Sequence, residues 1–176
     1  MNAAEFEQLL QAHERDVYAF CRYLALAIDA ELAADLYQDT VLAAFQRIGR
    51  IDAAQNPRAF LFAIAAGLWR NLRRKMGRRR AIAPTLPLEA ASYEAASRDD
   101  PSEALQDKLR QECIAKALAQ LDDKLRIPLI LYYFDDWPLQ DIARIVGSPT
   151  GTVKSRLHKA RTLLKQMLEK EGINYE

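Results

Sequence analysis

The tripeptide Gly147-Ser148-Pro149, with an ordered apolar register on each side of it, limits the fold of this chain more than any other feature. Proline locks φ and has no N–H to donate, and glycine takes the left-handed conformation that ends helices, so one helix cannot run through the three residues. Upstream, Leu139, Ile142, Ala143 and Val146 recur at helical spacing behind Pro138. Downstream, Val153, Leu157, Ala160, Leu164 and Met167 or Leu168 do the same. Two amphipathic helices joined by so tight a turn share one core. Ser148 is read as the N-cap of the second helix and Pro149 as its first residue, while Gly147 stops the first.

The second of these helices has a distinctive outer face. Lys154, Ser155, His158, Lys159, Arg161 and Lys165 fall off the apolar stripe, and from Ile142 to Leu168 there are six Lys or Arg and no acid. Cations can hold phosphates, and Lys, Arg or His can donate to guanine edges, so a scaffold helix followed by this one suits reading of a DNA major groove. The plainer alternative is a solvated amphipathic helix closing a bundle; the marked turn and the missing acids favour DNA.

Elsewhere the chain reads as all-α. Half of its 176 residues are hydrophobic, only six are glycine, and no stretch keeps a period of two for long. The formal net charge is only +1, but it is unevenly placed: Leu68–Arg80 carries seven cations and no acid, whereas Glu89–Asp107 holds six acids against Arg98. Cys21 and Cys113 sit in helical apolar patterns and are expected as buried free thiols. His13 and His158 have no partners at ligand spacing, so no metal site and no cofactor is expected. No signal peptide opens the chain and no apolar run approaches a membrane span of about 20 residues, which implies a soluble, cytoplasmic protein without membrane insertion.

Helical spacing places a first helix over residues 3–27, with Phe6, Leu10, Val17, Phe20, Cys21 and Leu24 inward. A second, capped by Asp29, runs to about Ile48 with Leu32, Leu36, Val41, Phe45 and Ile48 inward and Gly49 as its stop. After the polar loop Arg50–Gln55, Asn56-Pro57 starts a third helix. Its arc Phe60, Leu61, Ile64, Leu68 and Leu72 is apolar, and Arg58, Phe62, Trp69 and Arg73 cluster opposite. Aromatics among arginines can stack unpaired bases and hold their phosphates; packing of Phe62 and Trp69 on another helix is the alternative. Prolines, weak periodicity and acids make residues 81–100 a flexible linker. Asp100-Pro101-Ser102-Glu103 then caps a helix burying Leu105, Leu109, Cys113, Ala117 and Leu121. The next, from about Lys124 to Phe134, contains Pro128, which calls for a bend or a tight first turn. The expected architecture is two small helical domains, residues 1–80 and 101–176, joined by the acidic linker.

Three stretches in order, Leu32–Phe45 (L-A-A-D-L-Y-Q-D-T-V-L-A-A-F), Asn56–Ala65 (N-P-R-A-F-L-F-A-I-A) and Gly151–Arg161 (G-T-V-K-S-R-L-H-K-A-R), closely resemble the extracytoplasmic-function group of bacterial sigma factors. The resemblance covers nearly the whole chain. It implies a region-two-like first domain that binds the β′ clamp coiled coil of core RNA polymerase through Asp35, Leu36, Gln38 and Asp39. Minus-10 reading and melting would fall to Arg50, Asp52 and Gln55 in the loop and to Arg58, Phe62, Trp69, Arg70, Asn71, Arg73 and Arg74. A region-four-like second domain, with the β flap as its polymerase partner, would read the minus-35 duplex through Lys154, Ser155, His158 and Lys159. Thr152, Arg156 and Arg161 would contact phosphates or hold structure. An anti-sigma factor is implied as a further partner. Many members have arginine where this chain has Ala63 and asparagine where it has Gly67.

The function so implied is a promoter-specificity subunit, not an enzyme, that takes core polymerase to promoters and helps capture the non-template single strand. A stand-alone helix-turn-helix regulator is the alternative, against which the basic, aromatic face of Arg58–Arg80 argues, since a dimer interface is less cationic. An adaptor that binds only protein would lack salt-dependent DNA affinity.

Overall fold

The computed structural model describes residues 1–25, 30–51, 56–82, 112–134 and 136–172. Among them every regular element is helical. Helix α1 (Ala3–Ala25) opens on a reciprocal cap: the Asn2 side chain accepts the Glu5 N–H at 2.9 Å, and the Glu5 carboxylate accepts the Asn2 N–H at 2.8 Å. Its stripe of Phe6, Val17, Phe20, Cys21 and Leu24 is buried as its spacing requires. Burial pushes the Cys21 thiol up to about 12, with a hydrogen bond to Thr40 working the other way.

Helix α2 (Ala30–Phe45) ends earlier than Gly49, giving way to a turn and a 3₁₀ turn over Ile48–Arg50. The Arg47 guanidinium donates to the carbonyl of Ala43 at 2.8 Å and so satisfies a terminal acceptor that a continued helix would have used. Phe45, the last residue of the helix, follows the exposed Leu42 at helical spacing, so the register itself turns it outward. It is 51% exposed, not inward, and meets the edge of Phe6 at 5.8 Å. Val41 and Ile48 are half-buried, and the Asp29 cap lies outside the described residues.

Helix α3 (Pro57–Ile82) starts where Asn56-Pro57 predicts, with the Asn56 side chain accepting the Ala59 N–H at 3.3 Å. Its most buried stripe is Leu61, Phe62, Ala65, Ala66 and Trp69; Phe60, Ile64, Leu68 and Leu72 are half-buried. The helix is therefore covered on two sides, which corrects the expectation of one apolar arc and one open face.

Helix α4 is described over residues 112–120, where Ala117 and Leu118 are buried and Cys113 is half-buried, not fully buried. The cap at Asp100-Pro101, Leu105, Leu109 and the linker beyond residue 82 lie outside the described residues. Helix α5 (Asp123–Phe134) runs through Pro128 past its first turn. Asp122 starts it: its carbonyl accepts from Leu125 and Arg126, and its side chain accepts the Lys124 N–H at 3.1 Å.

Helices α6 (Leu139–Val146) and α7 (Thr150–Lys170) form the expected helix-turn-helix. Gly147 is left-handed at φ 64°, and the Ser148 N–H returns to the Ala143 carbonyl at 3.0 Å, closing a Schellman turn. Pro149, not Ser148, occupies the N-cap position of α7, and the Ser148 hydroxyl accepts instead from the Arg156 guanidinium at 2.9 Å. Helices α1–α3 pack together, as do α5–α7, and the two groups meet along α3 with α6 and α1 with α5. Their apolar interiors join through Phe20, Phe62 and Trp137, whose rings follow one another at 5.0 and 5.2 Å.

Candidate nucleic-acid interface

On α7 the buried line Val153, Leu157 and Ala160 leaves the opposite side to solvent. Lys154, Ser155, His158, Lys159 and Arg161 are all exposed there. Among the described residues Lys154, His158 and Lys159 make no ion pair, so their donors are available to an anion or a base edge. Ser155 donates to the Thr152 carbonyl at 2.9 Å, and Thr152 is half-buried. Two cations of the helix have other duties. Arg156 is half-buried and ties α7 to the turn through Ser148, while Arg161 lies over Tyr132 and Tyr133 at 5.4 and 5.8 Å from their ring centres.

On α3 the same classes of residue are placed differently. Phe62 and Trp69 are both 0% exposed. The Trp69 indole N–H donates to an Asp123 carboxylate oxygen at 3.1 Å, and the other oxygen lies 3.6 Å from the Arg73 guanidinium. Arg126, 1% exposed, pairs with the same carboxylate and sits over the Trp69 ring at 5.3 Å; Arg73 lies 5.8 Å from that ring. Burial pulls the pKa of Arg126 down, and the charge of Asp123 opposes it. At the other end Trp137 meets Phe62 edge-on, and Arg58 lies 4.6 Å from the Trp137 ring centre while pairing with Asp16 at 3.0 Å. The open aromatic face expected for Phe62 and Trp69 is thus covered in this structure, because α5 and the segment before α6 dock on it.

The remaining α3 positions are more accessible. Arg70, Asn71 and Arg74 are exposed; Arg74 donates to Asn71, and Arg70 donates to the carbonyls of Ala66 and Val146 at 3.2 and 3.4 Å. Arg50 is exposed at the end of the 3₁₀ turn, whereas Asp52 and Gln55 lie outside the described residues. On α2, Asp35, Gln38 and Asp39 are exposed along one line and Leu36 is buried at 3%, so Leu36 supports that line from beneath and does not face a partner. Leu42 continues the line outward, a residue the sequence pattern did not single out. Across a groove from Asp35 and Asp39 stand Arg74, Lys75 and Arg78.

Four further residues, Asp16, Asp123, Arg126 and Trp137, went unnoticed in sequence. Arg126 could have been found, as a lone cation in the apolar run L-R-I-P-L-I-L that needs a nearby carboxylate. Among the described residues no helix is long and apolar enough to cross a membrane, and no group of three or more His, Cys, Asp or Glu could hold a metal ion.

Known proteins match this chain along most of its length. The family model for Sigma-70 region 2 matches residues 9–79, and that for Sigma-70, region 4 matches residues 111–164. The ECF RNA polymerase sigma factor SigL of Mycobacterium tuberculosis is 34% identical over 173 residues, 97% of this chain and 94% of that protein. EcfG of Rhodopseudomonas palustris, also an ECF RNA polymerase sigma factor, is 32% identical over 85% of this chain and 78% of its own length. Among solved structures, the sigma factor RpoE of Bartonella quintana, in complex with the anti-sigma factor NepR, superposes with a TM-score of 0.78. It is 26% identical, over 94% of this chain and 97% of that one.

Proposed function

This chain belongs to the ECF RNA polymerase sigma factors, and from that premise we propose how its residues divide the work of directing core polymerase to promoters and assisting their opening. Its relatives are transcription initiation factors and not catalysts. Residues 1–80 act as the region-two unit, 101–176 as the region-four unit, and the acidic stretch 81–100 joins them. Linking two modest DNA-binding surfaces raises the effective concentration of the second contact once the first is made.

The observation that carries the reading is the α6–α7 unit, with Lys154, Ser155, His158 and Lys159 uncovered on one face of a helix whose other face is locked to a scaffold. A helix so held can enter a major groove, where Lys154 and His158 reach base edges of the minus-35 element and Lys159 holds phosphate. Arg156 fixes the turn. On α2, Asp35, Gln38 and Asp39 form an acidic, amide-bearing line suited to steering onto a basic partner, the β′ clamp coiled coil; the β flap meets the second unit. Arg50 and the loop after it, with Arg70, Asn71, Arg73 and Arg74, receive the minus-10 region and the non-template strand. Phe62 and Trp69 join them only after α5 and the Trp137 segment leave α3. An anti-sigma factor holds the free protein, as NepR holds the RpoE relative.

The test is reconstitution with core polymerase and transcription from a random promoter library. The wild type should select a two-part promoter, and Asp35→Lys with Asp39→Lys should weaken competition against another sigma factor about tenfold at low salt while leaving helical content unchanged. Unchanged competition would remove the polymerase assignment of α2.

A further inference from the structure

We propose that Asp123 is an intramolecular competitor of single-stranded DNA, holding the strand-capturing face of α3 shut until the two halves of the chain separate. The proposal rests on the reading of Trp69 and Arg73 as strand-contacting residues. One carboxylate takes the indole N–H of Trp69, the guanidinium of Arg73 and that of Arg126. A phosphate would use the same donors in the same way, through paired anionic oxygens, so carboxylate and phosphate exclude one another. The ring is withheld too. Arg126 and Arg73 lie 5.3 and 5.8 Å from the centre of Trp69, and a base needs that surface to stack.

Features of the contact make it releasable. Arg126 is nearly fully buried with Asp123 as its ionic partner, and its Nε has no hydrogen-bond acceptor, so the closed state carries an incompletely satisfied charge. Beside it a groove lined by Gly67, Asn71, Arg73, Asp122, Asp123 and Lys124 lets solvent and ions reach the carboxylate and Arg73. The far end is closed by a ring contact, Trp137 edge-on against Phe62, with the Arg58 guanidinium beside both rings. Both aromatics of this α3 face are therefore capped by residues of the second half, one through charge and one through a ring.

Both tryptophans of the chain lie in this contact, so intrinsic fluorescence reports on it directly. The full chain, without polymerase, is titrated against a fluorescein-labelled 20-nucleotide oligothymidylate, and acrylamide quenching is recorded in parallel. Asp123→Asn should raise quenching several-fold and tighten strand binding about tenfold, since apparent affinity scales with the open fraction. Asparagine leaves Arg126 buried without an ionic partner, so a double variant, Asp123→Ala with Arg126→Ala, removes both charges and the acceptor of the Trp69 indole without putting a bulky apolar side chain in the contact, and should show the same two changes at wild-type helical content. Unchanged quenching in that variant, or greater quenching with no gain in strand affinity, overturns the proposal. So does a gain that survives the further change Arg73→Gln, which would place the strand elsewhere. Promoter selection by the wild-type holoenzyme enters none of these readouts, so the sigma-factor function and the competition at Asp123 can fail separately.

Discussion

Helices α3 and α7 carry the same kind of sequence, cations interleaved with residues able to meet bases, and the fold treats them in opposite ways. Helix α7 has one apolar stripe, which α5 and α6 cover, and the face holding Lys154, His158 and Lys159 stays wet. Helix α3 is longer and has two apolar sides: α1 and α2 take one, and α6, the Trp137 segment before it and the start of α5 take part of the other, burying Phe62 and Trp69. The difference lies in the aromatics. Cations and small polar groups can remain at a surface without cost, whereas two large rings exposed side by side gain most of their transfer free energy by finding a cover. A strand-capturing face built on aromatics is therefore one that the protein can close on itself.

The largest effect expected from this contrast is on stability. Trp69→Ala should lower the free energy of unfolding by about 3–5 kcal/mol, as for other large-to-small changes in a core, measured by urea denaturation. Lys154→Ala should stay within about 0.5 kcal/mol of wild type in the same assay. A small loss at Trp69 would break the comparison, since it would mean that α3 is open in solution.

Next in size is the effect on α7's own task. Lys154→Ala and His158→Ala should each cost about 1–3 kcal/mol of discrimination between the preferred upstream duplex and a scrambled one, read from holoenzyme binding at fixed salt. Equal weakening on both duplexes would reassign the two side chains to phosphates. The smallest effect concerns Gly67, where a Cβ would meet nothing within 4 Å. Gly67→Ala should add about 0.5–1 kcal/mol to stability through helix propensity alone. A loss instead would show that α5 sits closer to α3 than the groove between them allows.

Local chemistry was legible in the sequence, and long-range cover was not. Gly147 ends α6 in the left-handed conformation, Asn56-Pro57 starts α3, and Val153, Leu157 and Ala160 line the core, all from residues within a few positions of one another. Ser148 misled because its hydroxyl accepts from Arg156, eight residues on, in place of a cap. Gly49 misled because the Arg47 side chain can close the end of α2 before a glycine is needed. The covering of Trp69 depends on Asp123, 54 residues away across a linker, and no periodicity links the two. Leu36 shows the same limit on a smaller scale: it shares a motif with Asp35 and Asp39 but not their face.

The central claim is that duplex reading and strand capture sit on separate surfaces, and permanganate reactivity of unpaired promoter thymines with core polymerase present tests it most directly. Lys154→Ala with His158→Ala should lose reactivity on a matched duplex promoter and recover it on the same promoter carrying an artificial bubble. Arg73→Gln with Arg74→Gln should keep selectivity for the upstream element yet show weak reactivity on the duplex and poor capture of the bubble. Equal failure of both pairs on both templates, or opening without polymerase, would contradict the account.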